Sequence, residues 1–124
     1  MKKIWLLVLL ISWLSACTAP QPKQTTSSND SSGPAAMLLA QAQEQQTLGQ
    51  QTQAIALAER ALRLEPRNGS AWLALAQLHF DGGDLVKAEQ FARRSLQFAG
   101  GNKALEQACR ELINKINMQL KQNS

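Results

Sequence analysis

One histidine, two cysteines and two neighbouring aspartates are the residues of this 124-residue chain whose types could do chemistry. His79 is the sole histidine, which argues against a histidine-based metal site and against a Ser–His–Asp arrangement. It falls in an apolar helical stripe, which reads as inter-helix packing. Cys109 lies on the apolar face of the last amphipathic segment. A buried, inert thiol is the default there, and a redox or disulfide-dimer role the alternative. Asp81 and Asp84 flank Gly82-Gly83. A calcium loop needs several spaced oxygen ligands, which this stretch lacks. A tight turn followed by a helix N-cap at Asp84 accounts for the spacing. The sequence holds no glycine-rich phosphate loop, no nucleophile–base spacing and no catalytic acid of a cell-wall hydrolase. It reads as a non-enzyme with no catalytic residue, metal, cofactor or small-molecule substrate.

Composition narrows the elements that must position these residues. The formal charge is +4, from 13 Lys+Arg against 9 Asp+Glu. Without Lys2 and Lys3 it is 11 against 9, or +2. That is too small to demand a nucleic-acid partner, where clustered phosphate contacts are expected. Beyond Cys17 the β-branched aliphatics are Ile55, Val86, Ile113 and Ile116, set among many Ala, Leu and Gln. The balance favours helix over sheet.

Lys2 and Lys3 make a positive start, and Ile4 to Leu14 an apolar run interrupted at Ser12. As helix that run rises about 16 Å, short of the roughly 30 Å of a bilayer core. It reads as the hydrophobic region of a secretory signal over residues 1–16. Leu14-Ser15-Ala16-Cys17 follows and resembles the bacterial lipobox at every position. The resemblance implies diacylglycerol on the Cys17 thiol, cleavage before Cys17 and acylation of the new amine. The alternative is an ordinary signal with a chance cysteine. Two or three acyl chains, at about 0.8 kcal/mol per buried CH₂, anchor a protein firmly. Thr18 stands where Asp retains such proteins in the inner membrane, so the resemblance implies an outer-membrane lipoprotein facing the periplasm.

From Thr18 to Gly33 the chain is rich in Ser, Thr, Gln and Pro. Such a segment cannot bury enough surface to offset its ordering entropy, so residues 17–33 read as a flexible linker. Stretched, it reaches about 55 Å; as a flexible coil, about 20 Å.

The rest of the chain repeats itself. Residues 35–68 laid over 69–102 give identities at Leu39/Leu73, Ala40/Ala74, Ala42/Ala76, Gln43/Gln77, Gly49/Gly83, Ala54/Ala88, Ala58/Ala92, Arg60/Arg94, Leu62/Leu96 and Asn68/Asn102. In the second unit Trp72, Leu75, Ala76 and His79 form one helical stripe. Gly82-Gly83 ends that helix, and Ala88, Phe91, Ser95, Leu96 and Phe98 carry the next. In the first unit Pro34 suits a first helical turn and Gly49 breaks the helix. Ala54, Leu57, Ala61, Leu62 and Leu64 form the second stripe, and Pro66 ends it. Lys103 to Lys121 places Leu105, Ala108, Cys109, Leu112, Ile116 and Leu120 on one face, as a helix covering the open end of the second unit. The expected domain is all-α, five helices over 34–122.

The 34-residue helix-turn-helix unit resembles the tetratricopeptide repeat. Trp72, Leu75, Ala76, Gly83, Asp84, Leu85, Ala88 and Leu96 carry the likeness in the second unit. Ala42, Gly49, Ala54, Ala61, Leu62, Leu64 and Pro66 carry it in the first. Gln41, Gln45, His79, Ser95 and Gly100 depart from the family pattern. The likeness implies structural roles for Trp72, Gly49, Gly83, Ala54, Ala88 and Pro66. It also implies a concave groove lined by first helices: Leu39, Gln43, Gln46 and Thr47, then Leu73, Gln77, Phe80 and Asp81. Leu39, Leu73 and Phe80 are apolar where a helix-pair core does not require it, which suggests a partner-binding strip. The alternative is that the last helix folds over the strip and buries it. Arg60, Arg63, Lys87 and Arg94 fall on the outer side of the second helices, as a solvated face or an anion-binding one, with Glu59–Arg63 a helical pair.

An anchor, a short tether and a small repeat domain are similar in architecture to the lipoprotein activators of class A penicillin-binding proteins. The resemblance implies a protein partner of that kind and a role in peptidoglycan synthesis. The alternatives are an envelope adaptor that regulates nothing, a peptidoglycan binder, or an assembly lipoprotein for barrels, secretins or pili.

Overall fold

The computed structural model describes residues 33–124. The expected signal sequence, Cys17 and the linker up to Ser32 lie outside the described residues. Pro34 stands at the start of α1 (Pro34–Thr47), where its missing N–H costs nothing and its fixed φ suits the helix. The remaining helices are α2 (Gln51–Leu64), α3 (Gly69–Asp81), α4 (Leu85–Gln97) and α5 (Lys103–Gln122). The described fold is all-α.

Two turns repeat at the 34-residue spacing. Gly49 has φ +75° and Gly83 φ +81°, and a Cβ at either would meet nothing within 4 Å. Both are therefore glycine for backbone freedom rather than for space. The same pair of hydrogen bonds closes each turn. Gln50 N–H donates to Gln45 O at 2.9 Å and Gly49 N–H to Gln46 O at 3.0 Å. Asp84 N–H donates to His79 O at 2.9 Å and Gly83 N–H to Phe80 O at 3.0 Å. This is a Schellman closure, which satisfies the last carbonyls of α1 and α3. The starts of α3, α4 and α5 are capped from side chains. Asn68 accepts from Ala71 N–H at 3.0 Å, Asp84 from Lys87 N–H at 3.2 Å and Asn102 from Leu105 N–H at 3.1 Å.

Connections of a few residues hold successive helices antiparallel. α1 packs on α2, α3 on both α2 and α4, and α5 on α4 and α3. The buried side chains form two clusters. One joins Ala35, Ala42, Ala54, Ala58, Ala61 and Leu62 to Ala71, Leu75 and Leu78. The other joins Ala76, Leu85, Ala88 and Ala92 to Leu112 and Ile116. Alanines at the crossings let backbones approach closely. α3 is buried on two sides, which the single stripe read from the sequence does not capture: Leu78 is 2% exposed and faces the first unit.

Two expectations are corrected, at Leu64 and at the Glu59–Arg63 pair. Leu64 is 55% exposed rather than part of the α2 stripe, because it is the helix's last residue and overhangs its partners. Trp72 is half-buried: its ring packs at 5.7 Å from Phe91 while Nε1 donates to Pro66 O at 2.9 Å. The helical ion pair is Glu89–Arg93 at 2.6 Å, and the Glu59–Arg63 pair does not form. Glu59 and Arg63 are both exposed, where ordering two long side chains offsets the small Coulomb gain.

Candidate functional site

A cleft of about 300 Å³ opens between α3 and α5. Its walls are Gln46 from α1, then Gln77, Phe80 and Asp81 from α3, then Ala108, Glu111, Leu112 and Lys115 from α5. Four of the eight groove residues read from the sequence line this cleft. Leu39, Gln43, Thr47 and Leu73 lie outside its lining. Leu39 packs against the first cluster, and Leu73 and Phe80 against the second. All three are half-buried, so each is partly core, which corrects the reading that the core does not require them.

The cleft forms because α5 continues the repeat register. Asn102, its cap, is the 34-residue equivalent of Asn68. α5 thus occupies the place of a third first-helix, and Gln43, Gln77 and Glu111 fall one repeat apart, as do Thr47, Asp81 and Lys115. The last helix walls the groove and extends it. The α5 contributions, Glu111 and Lys115, were missed from the sequence. The signal was available: adding one more period to Gln77 and Asp81 reaches them.

The α1–α3 side of the cleft is tied across the repeats. Gln46 Nε2 donates to Asp81 Oδ2, and Gln51 Nε2 to Leu78 O. On the other wall Gln107 Nε2 donates to Glu111 Oε1 at 2.9 Å. Each carboxylate so keeps an oxygen for another partner. The remaining singled-out groups sit elsewhere. His79 packs on Phe91 at 5.2 Å, with Nδ1 3.9 Å from Asp84 Oδ2. The Lys87 backbone N–H, then its ammonium and His79, hold the Asp84 carboxyl below its ordinary value. Arg60, Arg63, Lys87 and Arg94 are exposed, Arg94 lying 5.4 Å over the Trp72 ring.

Cys109 is fully buried, and its thiol donates to Ser95 Oγ at 3.0 Å. Ser95 Oγ donates in turn to Gly69 O at 2.7 Å. Among the described residues no group of three His, Cys, Asp or Glu could hold a metal ion.

A pair of helix-turn-helix units with a concave cleft defines a protein-interaction module. Residues 39–110 match the tetratricopeptide repeat family, and the chain belongs to it. A solved structure of the globular C-terminal domain of P. aeruginosa LpoP is similar, with 39% sequence identity and a TM-score of 0.70. The alignment covers 72% of this chain and 84% of that one. No curated protein matches the chain.

Proposed function

We propose that this chain is an outer-membrane lipoprotein that activates a class A penicillin-binding protein from the periplasmic side. In this reading residues 1–16 are a lipoprotein signal, Cys17 carries the lipid, 17–33 are the tether and 34–122 the binding domain. The cleft between α3 and α5 is the observation that carries it: an open recess of about 300 Å³ walled by amides, two carboxylates, one lysine and one aromatic. The likeness to the LpoP domain supports the same kind of module. The module works by binding and catalyses nothing. A tethered binder raises synthase activity by preferring its active conformation, and each 1.4 kcal/mol of preference shifts the balance tenfold.

The direct test is glycan synthesis by the purified cognate synthase with and without residues 18–124. A raised rate supports the reading. An unchanged rate with no binding at micromolar concentration removes it and leaves an envelope adaptor. The anchor is tested separately. Cys17→Ser gives an unlipidated chain that leaves the membrane fraction or stays unprocessed. Normal cleavage and continued pelleting with outer membrane would show that the lipobox reading is wrong.

A further inference from the structure

We infer that the α3–α5 cleft takes an extended segment of the partner bearing a lysine or arginine next to an apolar residue. The basic side chain lies between Asp81 and Glu111, and its apolar neighbour lies on Phe80 and Leu112. The inference deepens the proposed function and rests on the cleft being its partner site.

Charge selects the occupant. Asp81 on α3 and Glu111 on α5 bring carboxylates to the cleft from separate walls. Neither α1 nor α3 contains a Lys or Arg, so the cleft's one lining cation is Lys115 on α5. The basic residues of the repeats (Arg60, Arg63, Arg67, Lys87, Arg93 and Arg94) belong to α2, α4 and the loop after α2. Asp81 is also the last residue of α3, whose negative dipole end favours a cation. An anionic segment would meet two carboxylates and a helix C-terminus.

The floor selects the neighbour. Phe80 is half-buried and Leu112 nearly buried, so their outer edges give the cleft a small apolar base. A lysine or arginine stem lies along such a surface while its head reaches the carboxylates. Gln77, exposed beside them, offers an amide to a peptide backbone. Lys115 sets direction, because it repels a basic head and keeps it on the Asp81–Glu111 side.

The test uses residues 18–124, which contain all five helices and both buried clusters, and two capped heptapeptides. Each has a Leu-X-Phe centre flanked by Gly and Ser, with X either Lys or Glu. Binding is read by fluorescence anisotropy at low salt and mapped by amide chemical shifts. The Lys peptide should bind at least tenfold tighter, with shifts at Gln77, Phe80, Asp81 and Leu112. Glu111→Gln, at an exposed position, should cut that preference at least threefold. Lys115→Glu should tighten the Lys peptide severalfold. Equal binding of the two peptides, preference for the Glu peptide, or no saturable binding below millimolar overturns the inference. The synthase assay keeps the two readings apart. Stimulation without charge preference removes only this inference, and charge preference without stimulation removes only the synthase reading.

Discussion

Ser95 shows what a single buried hydroxyl decides. The family pattern has alanine at this position, and the sequence places the serine on the packing stripe of its helix as a departure from that pattern. In the fold it is fully buried and serves two groups at once, donating to Gly69 O and accepting from the Cys109 thiol. Reverting it to the family's residue should therefore weaken the protein. Ser95→Ala removes a second hydrogen bond from Gly69 O, which the α3 ladder also engages, and takes the acceptor from the buried Cys109 thiol, so a loss of about 1 kcal/mol is expected in urea unfolding. No loss would show that neither bond adds net stability. Trp72 and Phe80 give a paired comparison. Both are half-buried, but Trp72 also packs on Phe91 and donates to Pro66 O, while Phe80 shares itself with the cleft. Trp72→Ala should cost about 3 kcal/mol and Phe80→Ala nearer 1–2 kcal/mol. Thermal melts that place Phe80→Ala as low as Trp72→Ala would make Phe80 a core residue before a cleft residue.

At the scale of the elements, Asp84 couples α4 to pH. Its carboxylate caps the helix by accepting the Lys87 backbone N–H, which lowers its pKa below the ordinary 3.8. A depressed carboxylate stabilises the fold above the unfolded-state value and loses that contribution as pH falls through the folded one. Stability should be flat near neutrality in this respect and fall below about pH 4. Asp84→Asn keeps a capping oxygen but cannot titrate, so it should flatten part of that acid slope in denaturation curves from pH 6 to 2. An unchanged slope would assign the acid sensitivity to other carboxylates. The helices themselves were legible from the chain because their punctuation is local. Gly49, Gly83, Pro34 and Asp84 act on their immediate neighbours, and a 34-residue period needs only self-comparison. What lay hidden depends on distant partners. α3 touches both units, so Leu78 belongs to a second face that one stripe cannot reveal. The Ser95–Cys109 bond joins helices whose distance no spacing encodes. The cleft could have been extended to Glu111 and Lys115 only by treating α5 as a repeat rather than a lid.

At the scale of the molecule, α5 closes the second cluster. Leu112 and Ile116 complete a core that also holds Ala76, Leu85, Ala88 and Ala92. In a repeat array each unit is stabilised by its neighbour, so removing an end exposes the next interface. Deleting residues 103–124 should therefore disorder α4 while leaving the α1–α2 pair its contact with α3. Hydrogen exchange would show protection lost first across Leu85–Gln97. Retained cooperative unfolding with a full-length slope would refute a closing role for α5.

Five antiparallel rods are an odd number, and parity has a directional effect. The chain enters the domain at Gly33 and, after five traversals joined by four reversals, leaves at the opposite pole. α5 has 20 residues against 13 in α3, an overhang of about 10 Å on the exit side. Met118, 57% exposed, rides on that projecting end. Whatever holds the chain before Gly33 therefore presents the end of α5 outward, like the tip of a mast, and a bulky tag on Ser124 would stand clear of the entry point.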